Sequence, residues 1–380
     1  MSPFVILSDL HLDPGTHATA EACARLIAAH PGYEVVLSGD IFGLSEDPPS
    51  LTPQTSVQKT LAAHPELARA MRQHLLGGAR LTWIAGNHDA GLTVPGMAET
   101  VLRSLDLPEA PLRIEPWFIR RGGVHIEHGH VWDADNAPVH PLGDWSLLTE
   151  PLGVALTRRF VSKHASHFAH AHETTLVQGL KRAFGLYGAR APLLILIYFG
   201  VAAGICLEAL LQTEMDEERQ QGAGRSRALA EECGISLESL QELLSALPTP
   251  THTEFGSTFF RLYFDRVLLA LLCGGAGVWS LARLSPIGLG VGVVSAAVLR
   301  HNVKRTGARY QNLPIRRLRH GAAIARSLMR ADVVVFGHTH VPTCEDGYVN
   351  TGSFAYFDKQ LGRPYVHVDG QAHLELRRFV

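Results

Sequence analysis

Five short polar clusters carry the residue types that could do chemistry. Asp9 and His11 lie in "ILSDLHLD", Asp40 in "VVLSGDIFG", and Asn87, His88 and Asp89 in "WIAGNHDA". His128 and His130 lie in "HIEHGHVWDAD", and His338 and His340 in "ADVVVFGHTHVP". Each cluster begins where an apolar, strand-like run stops. Loops at the strand ends of an α/β sheet converge on one edge, where ligands bind. His338 and His340, two apart on an extended segment, share a face, and Gly337 leaves room for the turn before them. Carboxylate, imidazole and amide oxygen together suit Mn, Fe, Zn or a related divalent ion. A two-metal site needs a bridging ligand, and Asp40 could bridge with two oxygens. Ions ~3.5–4 Å apart clamp a phosphate and lower the pKa of a bridging water. Turn and capping chemistry explains any one cluster, but not five of ligand type in order.

The elements that must position these residues alternate. Phe4 to Leu7, Glu34 to Leu37 and Arg80 to Ala85 read as strands. Ala18 to His30 and Ser56 to Leu76 read as helices, the second broken near Pro65. Leu112 to Ile119 and Val124 to Ile126 read as a hairpin turning at "RRGG". Gly321 to Met329 reads as a helix and Val333 to Phe336 as a strand, with "EDGY" and "VDGQ" as turns between further short strands. The class is α/β with strong antiparallel character.

The middle of the chain differs. Ala191 to Leu207, Val267 to Ala282 and Leu284 to Leu299 are uncharged apolar stretches of 17, 16 and 16 residues, each just short of the ~18–20 that span a bilayer. Residues 158 to 190 carry six Lys or Arg against the single acid Glu173, and residues 301 to 320 carry six and no acid. Between them "QTEMDEERQQ" holds four acids and one base. If both halves of the core lie on one side, the number of crossings is even. One scheme crosses at 191–211 and returns within 267–299, with the basic flanks beside the core and the acidic segment across the membrane. Helices lying in the interface, a buried lid and an oligomer interface are the other readings. "HASHFAHAH", with His164, His167, His170 and His172, reads as an amphipathic helix surface, with a second metal site as its sharper alternative.

A net charge of −2 gives no basic field, so nucleic acid is not an implied partner. The five cysteines form no CxxC pair and are odd in number, which fits a reducing compartment. "MSPFVILSDLHLD" runs straight into a strand without the order of a signal peptide.

The ordered fragments D-x-H, GD, GNHD, HGH and GHTH resemble the calcineurin-like metallophosphoesterase superfamily over about 1–145 and 310–380. The resemblance implies a four-layer αββα sandwich interrupted by a large, apolar helical insertion. Domains are expected at 1–145 (core, first part), 146–310 (helical, membrane-associated insertion) and 311–380 (core, second part). It implies two divalent metal ions, Mn first and Fe, Zn, Mg or Co as alternatives. One ion would be held by Asp9, His11, Asp40 and His340, and the other by Asp40, Asn87, His128 and His338. His88 would meet the scissile phosphate, oriented by Asp89. His130, Arg158 and Arg159 are candidate substrate contacts, His130 alternatively orienting His128, and Asp133 and Asp135 are second-layer or merely loop acids. The fragment "GDIFG" departs from the family, which often has an acid where Gly43 stands, and what that acid would support is left open. The pyrophosphohydrolases that cleave UDP-2,3-diacylglucosamine are distantly similar and also carry a helical insertion, but typically have Arg where this chain has His88. The expected activity is hydrolysis of a phosphate ester or pyrophosphate bond, in a phosphorylated, lipid-linked substrate at the membrane. The expected location is the cytoplasmic face of the inner (plasma) membrane, peripheral or spanning. The alternatives are a soluble phosphodiesterase or protein phosphatase whose apolar insert is a lid or dimer interface, and a non-catalytic metal-binding scaffold.

Overall fold

A computed structural model describes residues 2–164, 176–210, 212–284, 286–306 and 313–380. His167, His170 and His172 of "HASHFAHAH" lie outside the described residues. The first elements are β1 (Phe4–Leu7), α1 (His17–Ala29), β2 (Glu34–Ser38), α2 (Pro53–Ala63), α3 (Pro65–Leu76), β3 (Leu81–Ile84), α4 (Met97–Ser104) and β4 (Leu112–Glu115). Then come β5 (Phe118–Arg121), β6 (Val124–Glu127), α5 (Leu152–Leu156), α6 (Ser162–His164), α7 (Leu176–Tyr187), α8 (Ala191–Glu208), α9 (Gln212–Cys233) and α10 (Leu237–Ala246). The chain ends with α11 (Phe255–Arg261), α12 (Phe264–Arg283), α13 (Pro286–Thr306), α14 (Leu313–Leu328), β7 (Val333–Phe336), β8 (Thr343–Glu345), β9 (Tyr348–Asn350), β10 (Arg363–Val368) and β11 (Leu374–Phe379).

Two compact units result. The first comprises Met1–Arg158, Gln212–Pro250 and Ile315–Val380. It holds a six-stranded sheet of order β11-β10-β1-β2-β3-β4 and a five-stranded sheet of order β5-β6-β7-β9-β8. Strands β1 to β4 run parallel, with Val5 opposite Val35 and Leu37 opposite Trp83. β1, β2 and β3 are buried on both faces, so they read as nearly continuous apolar runs, whereas the edge strand β4 is only partly buried and alternates as Leu-Arg-Ile-Glu. Phe4, Ile6, Val36, Ile126, Val335 and Val366 fill the space between the sheets. Val5, Leu7, Leu37 and Trp83 face α1 to α4 on the outer side of the first sheet. Trp117, Phe118, Val334 and Phe336 of the second sheet's side pack with Leu229, Leu240, Leu243 and Leu318 of α9, α10 and α14. The architecture is the expected αββα sandwich.

Three expectations change. Leu112 to Ile119 is not one strand: the chain leaves the first sheet at Glu115 and enters the second at Phe118, across Pro116 and the buried Trp117. Proline cannot donate to a ladder, so the run breaks there, while the "RRGG" hairpin forms as read. The uncharged stretches fall on helices of 18, 20 and 21 residues, which flanking residues such as Glu208, Asp265 and Arg300 lengthen, while Leu284 caps α12 and stands outside α13. The third change concerns the acidic segment. Residues 212–250 belong to the first unit and cover its second sheet, so they do not lie across a membrane from it. Arg225 of α9 donates to Leu142 O at 2.9 Å and pairs with Asp144 at 2.7 Å. Glu218 accepts from the His140 backbone N–H. Asp216, Glu217, Arg227 and Glu231 of α9 are exposed while Glu218, Leu229 and Ala230 are buried, and α10 adds Leu240 and Leu243.

The second unit comprises Arg159–Leu211 and Thr251–Pro314. It is helical, and it carries most of the exposed large apolar side chains, among them Leu193, Leu196, Leu271, Leu281, Leu284 and Ile287.

If α10 is part of the outer helical layer of the sandwich, truncating its fully buried Leu240 costs core stability. Leu240→Ala is expected to lower unfolding free energy by about 2–5 kcal/mol in chemical denaturation. An unchanged midpoint would put α10 outside the core.

Candidate metal centre

The seven expected ligand residues converge at the C-terminal ends of β1, β2, β3, β6 and β7. They form two groups of donors, Asp9 with His11 and His340, and Asp40 with His128 and His338. His340 Nε2 lies 3.0 Å from Asp9 Oδ1 and 3.3 Å from His11 Nε2. His11 Nε2 is 4.0 Å from both Asp9 Oδ1 and Asp40 Oδ2. In the second group His128 Nε2 is 3.3 Å from Asp40 Oδ2 and 3.3 Å from Asn87 Oδ1. Asp40 Oδ2 is therefore the oxygen common to both groups. Oδ1 accepts from the His88 backbone N–H at 2.8 Å.

The backbone at these loops is unusual in a consistent way. Asp9, His11, Asp40, His338 and His340 all have φ between 45° and 66°. Left-handed backbone at non-glycine residues is uncommon and costs of order 1 kcal/mol or more each, which surrounding structure must hold. The fastenings are visible. Asp9 N donates to Gly39 O, and Leu10 N and His11 N to Asp40 O. Gly337 N donates to His128 O. A Cβ at Gly39 would overlap the His128 ring, and one at Gly337 would press on Ser8 and Asp9. The glycine of "GHTH" thus gives space to the first strand's ligand loop as well as to its own turn.

The electrostatics describe a pocket built for positive charge. Asp9 and Asp40 are fully buried. Burial alone would raise the Asp9 carboxyl, but His340 and His128 hold it at about 2. Burial likewise opposes ionisation of Asp40, and His128 and His88 override it and keep that carboxyl well below its usual range. Burial disfavours the His128 cation, yet the Asp40 and Asp9 carboxylates raise its pKa to about 10. His11 is pushed down to about 3 by burial, against the pull of Asp40. Asp9 Oδ1 is buried and accepts no hydrogen bond of good geometry, which is costly for a carboxylate oxygen. An anionic oxygen left so, facing two imidazole nitrogens, fits a divalent cation. His128 Nδ1 donates to Ser38 O at 3.0 Å, which fixes the ring and directs Nε2 to the site.

The residues around the donors refine the expected roles. Asp89 does not orient the His88 ring. Its carboxylate accepts from the backbone N–H groups of Asp40, Ile41, Phe42 and Gly86, so it pins the loop that carries Asp40. Burial, followed by the Asp40 charge, raises its pKa to about 7. The His88 ring is held by Ser45, whose Oγ lies 2.5 Å from Nδ1. The ring stands 5.3 Å from that of His11, and burial lowers its pKa. Ser45 follows two residues after Gly43, where the family often places an acid, so the support left open by "GDIFG" is supplied by a hydroxyl. Arg158 is buried and braces the same loop. It pairs with Glu150 at 2.8 Å and donates to Leu44 O at 3.0 Å and Asp47 O at 2.8 Å, in place of the expected phosphate contact. Arg159 lies in the second unit, where it pairs with Glu208 at 2.6 Å.

His130 is buried beside His128, its ring 5.4 Å away and its Nδ1 without a hydrogen bond. With Asn87, Asn136, Trp145 and Glu218 it lines a cleft that reaches the metal centre. Three residues of the site are not legible as such in the sequence. Asn136 accepts from Asn87 at 3.3 Å and donates to Asp133 at 2.8 Å. Tyr356 stacks on His340 at the rim. Ser45 is the third, and the departure at Gly43 is the only signal near it. Asp133 is a second-layer acid, 3.1 Å from His338 Nε2. Asp135 contributes its backbone carbonyl, which accepts from Gly153 N.

Two outcomes follow. Ser45→Ala is expected to lower kcat about 10- to 100-fold by loosening His88, with bound metal unchanged in elemental analysis. Loss of metal instead would make Ser45 part of the binding site. Secondly, His128 is protonated at neutral pH in the ion-free site, and a ligating imidazole must be neutral. Metal uptake at pH 7–8 should therefore release about one proton per chain, read by calorimetry in buffers of different ionisation enthalpy, fading as pH rises through about 10. Uptake without proton release would contradict the assignment of His128.

Residues 2–183 match the family model described as calcineurin-like phosphoesterase. No curated protein matches the chain. The matched range holds Asp9, His11, Asp40, Asn87 and His128, and the fold brings His338 and His340 to them from far outside it. By that match and this geometry residues 2–183 carry a calcineurin-like phosphoesterase domain, and that family is one of metal-dependent phosphoester hydrolases.

Proposed function

We propose that the protein hydrolyses a phosphate ester or pyrophosphate bond in a lipid-linked substrate at a membrane surface. The observation that carries the reading is the pairing of one complete set of donors with a helical unit rich in exposed apolar side chains. Asp9, His11, Asp40 and His340 hold one divalent ion, and Asp40, Asn87, His128 and His338 hold the other, with Mn the first candidate. When bound, the two ions supply Lewis-acid charge to the phosphate and activate a water for in-line attack. The chain's own residues do the rest. Asp40 sets the spacing of the two groups, and the Asp89 carboxylate keeps the Asp40 loop in its left-handed turn. With Ser45 as the donor to His88 Nδ1, the ring proton sits on Nε2. There it stabilises a phosphate oxygen or protonates the leaving group. The cleft lined by His130, Asn136 and Trp145 receives the group attached to phosphorus. A lipid tail is the chemistry that an apolar unit interrupting the catalytic core would serve.

Phosphate release from lipid phosphates and nucleotide-linked lipids, with added Mn²⁺, tests this reading. Activity on these substrates, abolished in Asp40→Ala and Asn87→Ala, is the expected result. Turnover of water-soluble diesters alone would overturn the lipid part, and full activity in either variant would overturn the site.

A further inference from the structure

Helices α12 and α13 form a hairpin whose packing is the reverse of a soluble protein's. The two helices meet through small residues. A Cβ at Gly288 would sit 3.0 Å from the Trp279 ring edge, 3.1 Å from Ser280 N and 3.2 Å from Ala276 O, and one at Gly292 would touch Ala276, Gly277 and the Cys273 carbonyl, so backbone approaches backbone at both glycines. Their large side chains turn outward instead, with Leu271 67%, Val278 68%, Leu281 83%, Leu289 61% and Val294 62% exposed. In lipid there is no gain from burying Leu between helices, and close backbone approach through small residues holds them together. In water the same surface would be an aggregation site. At ~1.5 Å per residue, the 20 residues of α12 reach ~30 Å, the thickness of the hydrocarbon core. Trp279 and Arg283, one turn apart with the guanidinium over the ring, mark the tip. That pair suits the far headgroup layer. The sequence after α13 is basic without acids, which suits the near one.

Connectivity limits the rest. Both excursions of the second unit, 159–211 and 251–314, start and end in the first unit. The second contains two apolar helices and can cross and return. Among the described residues the first contains one, α8, joined to α7 by a tighter turn at Gly188–Arg190. The preceding residues 159–180 are too rich in His, Lys and Arg to make a second crossing.

We infer that α12 and α13 span the bilayer as a hairpin, whereas α8 embeds without crossing. The catalytic unit and α9–α10 then share one side. The inference rests on the membrane reading proposed above, and it replaces the scheme in which α8 crosses. Site-specific labelling of the full chain in right-side-out and inverted membrane vesicles, with a membrane-impermeant maleimide, tests it. Cys344 is exposed in the catalytic unit and is a natural reporter once Cys233 and Cys273 are changed to Ser. Asp216→Cys, on α9, and Leu284→Cys, at the tip, are read in the Cys344→Ser background. The expected result is labelling of Cys344 and of the position 216 reporter from one side, and of the tip reporter from the other. Labelling of the 216 reporter opposite to Cys344 would overturn the non-crossing α8. Labelling of the tip from the core's side would overturn the spanning hairpin. Detergent-free recovery of the unvaried protein in the supernatant, as a dimer in light scattering, would instead remove the membrane reading on which the inference rests.

Discussion

Everything at the centre depends on the Asp40 carboxylate, buried between imidazoles from four strand ends. One of its oxygens is committed to the His88 backbone, and the other faces both donor groups. A buried carboxylate is tolerated only where positive charge or several hydrogen bonds compensate it. In the ion-free chain part of that compensation comes from the His128 proton. The same demand for positive charge is what a pair of divalent ions would satisfy more fully. The position of Asp40 in turn requires a left-handed backbone, which the Asp89 carboxylate holds through four N–H groups.

From that constraint the surrounding structure can be read outward. The parallel strands β1, β2 and β3 bring their C-terminal loops to one edge. The parallel pair β6 and β7 does the same in the second sheet, so His128 arrives beside His338. The loop after β2 carries Ser45 to His88 and is anchored from behind by Arg158 and Glu150. These are positioning contacts. They convert a flexible loop into one that fixes the orientation of a single imidazole.

Much of this is legible in the amino-acid sequence. The donors announce themselves because each is a polar cluster ending an apolar run, and their chemistry is restrictive. What the sequence does not reveal has physical reasons. Asp89 adjoins His88 in the chain, and adjacency suggests contact, but its carboxylate turns toward the amides of the β2 loop. Arg158 reads as a substrate contact because its partners are two carbonyls more than a hundred residues away and a glutamate on an irregular segment. The helices α9 and α10 read as extrinsic because acids dominate their composition, while only a few Leu and Ala positions face the sheet. The strand hop at Pro116 and Trp117 is hidden by β-like residues on both sides of it.

Two ions, when bound, would sit on either side of the Asp40 carboxylate oxygen that faces both donor groups. Anomalous diffraction from crystals grown with Mn²⁺ tests it most directly. Two peaks flanking Asp40 Oδ2 are expected, about 3.5–4 Å apart, one against Asp9, His11 and His340 and the other against Asn87, His128 and His338. A single peak, or peaks with Asp40 outside coordination distance of either, would contradict it.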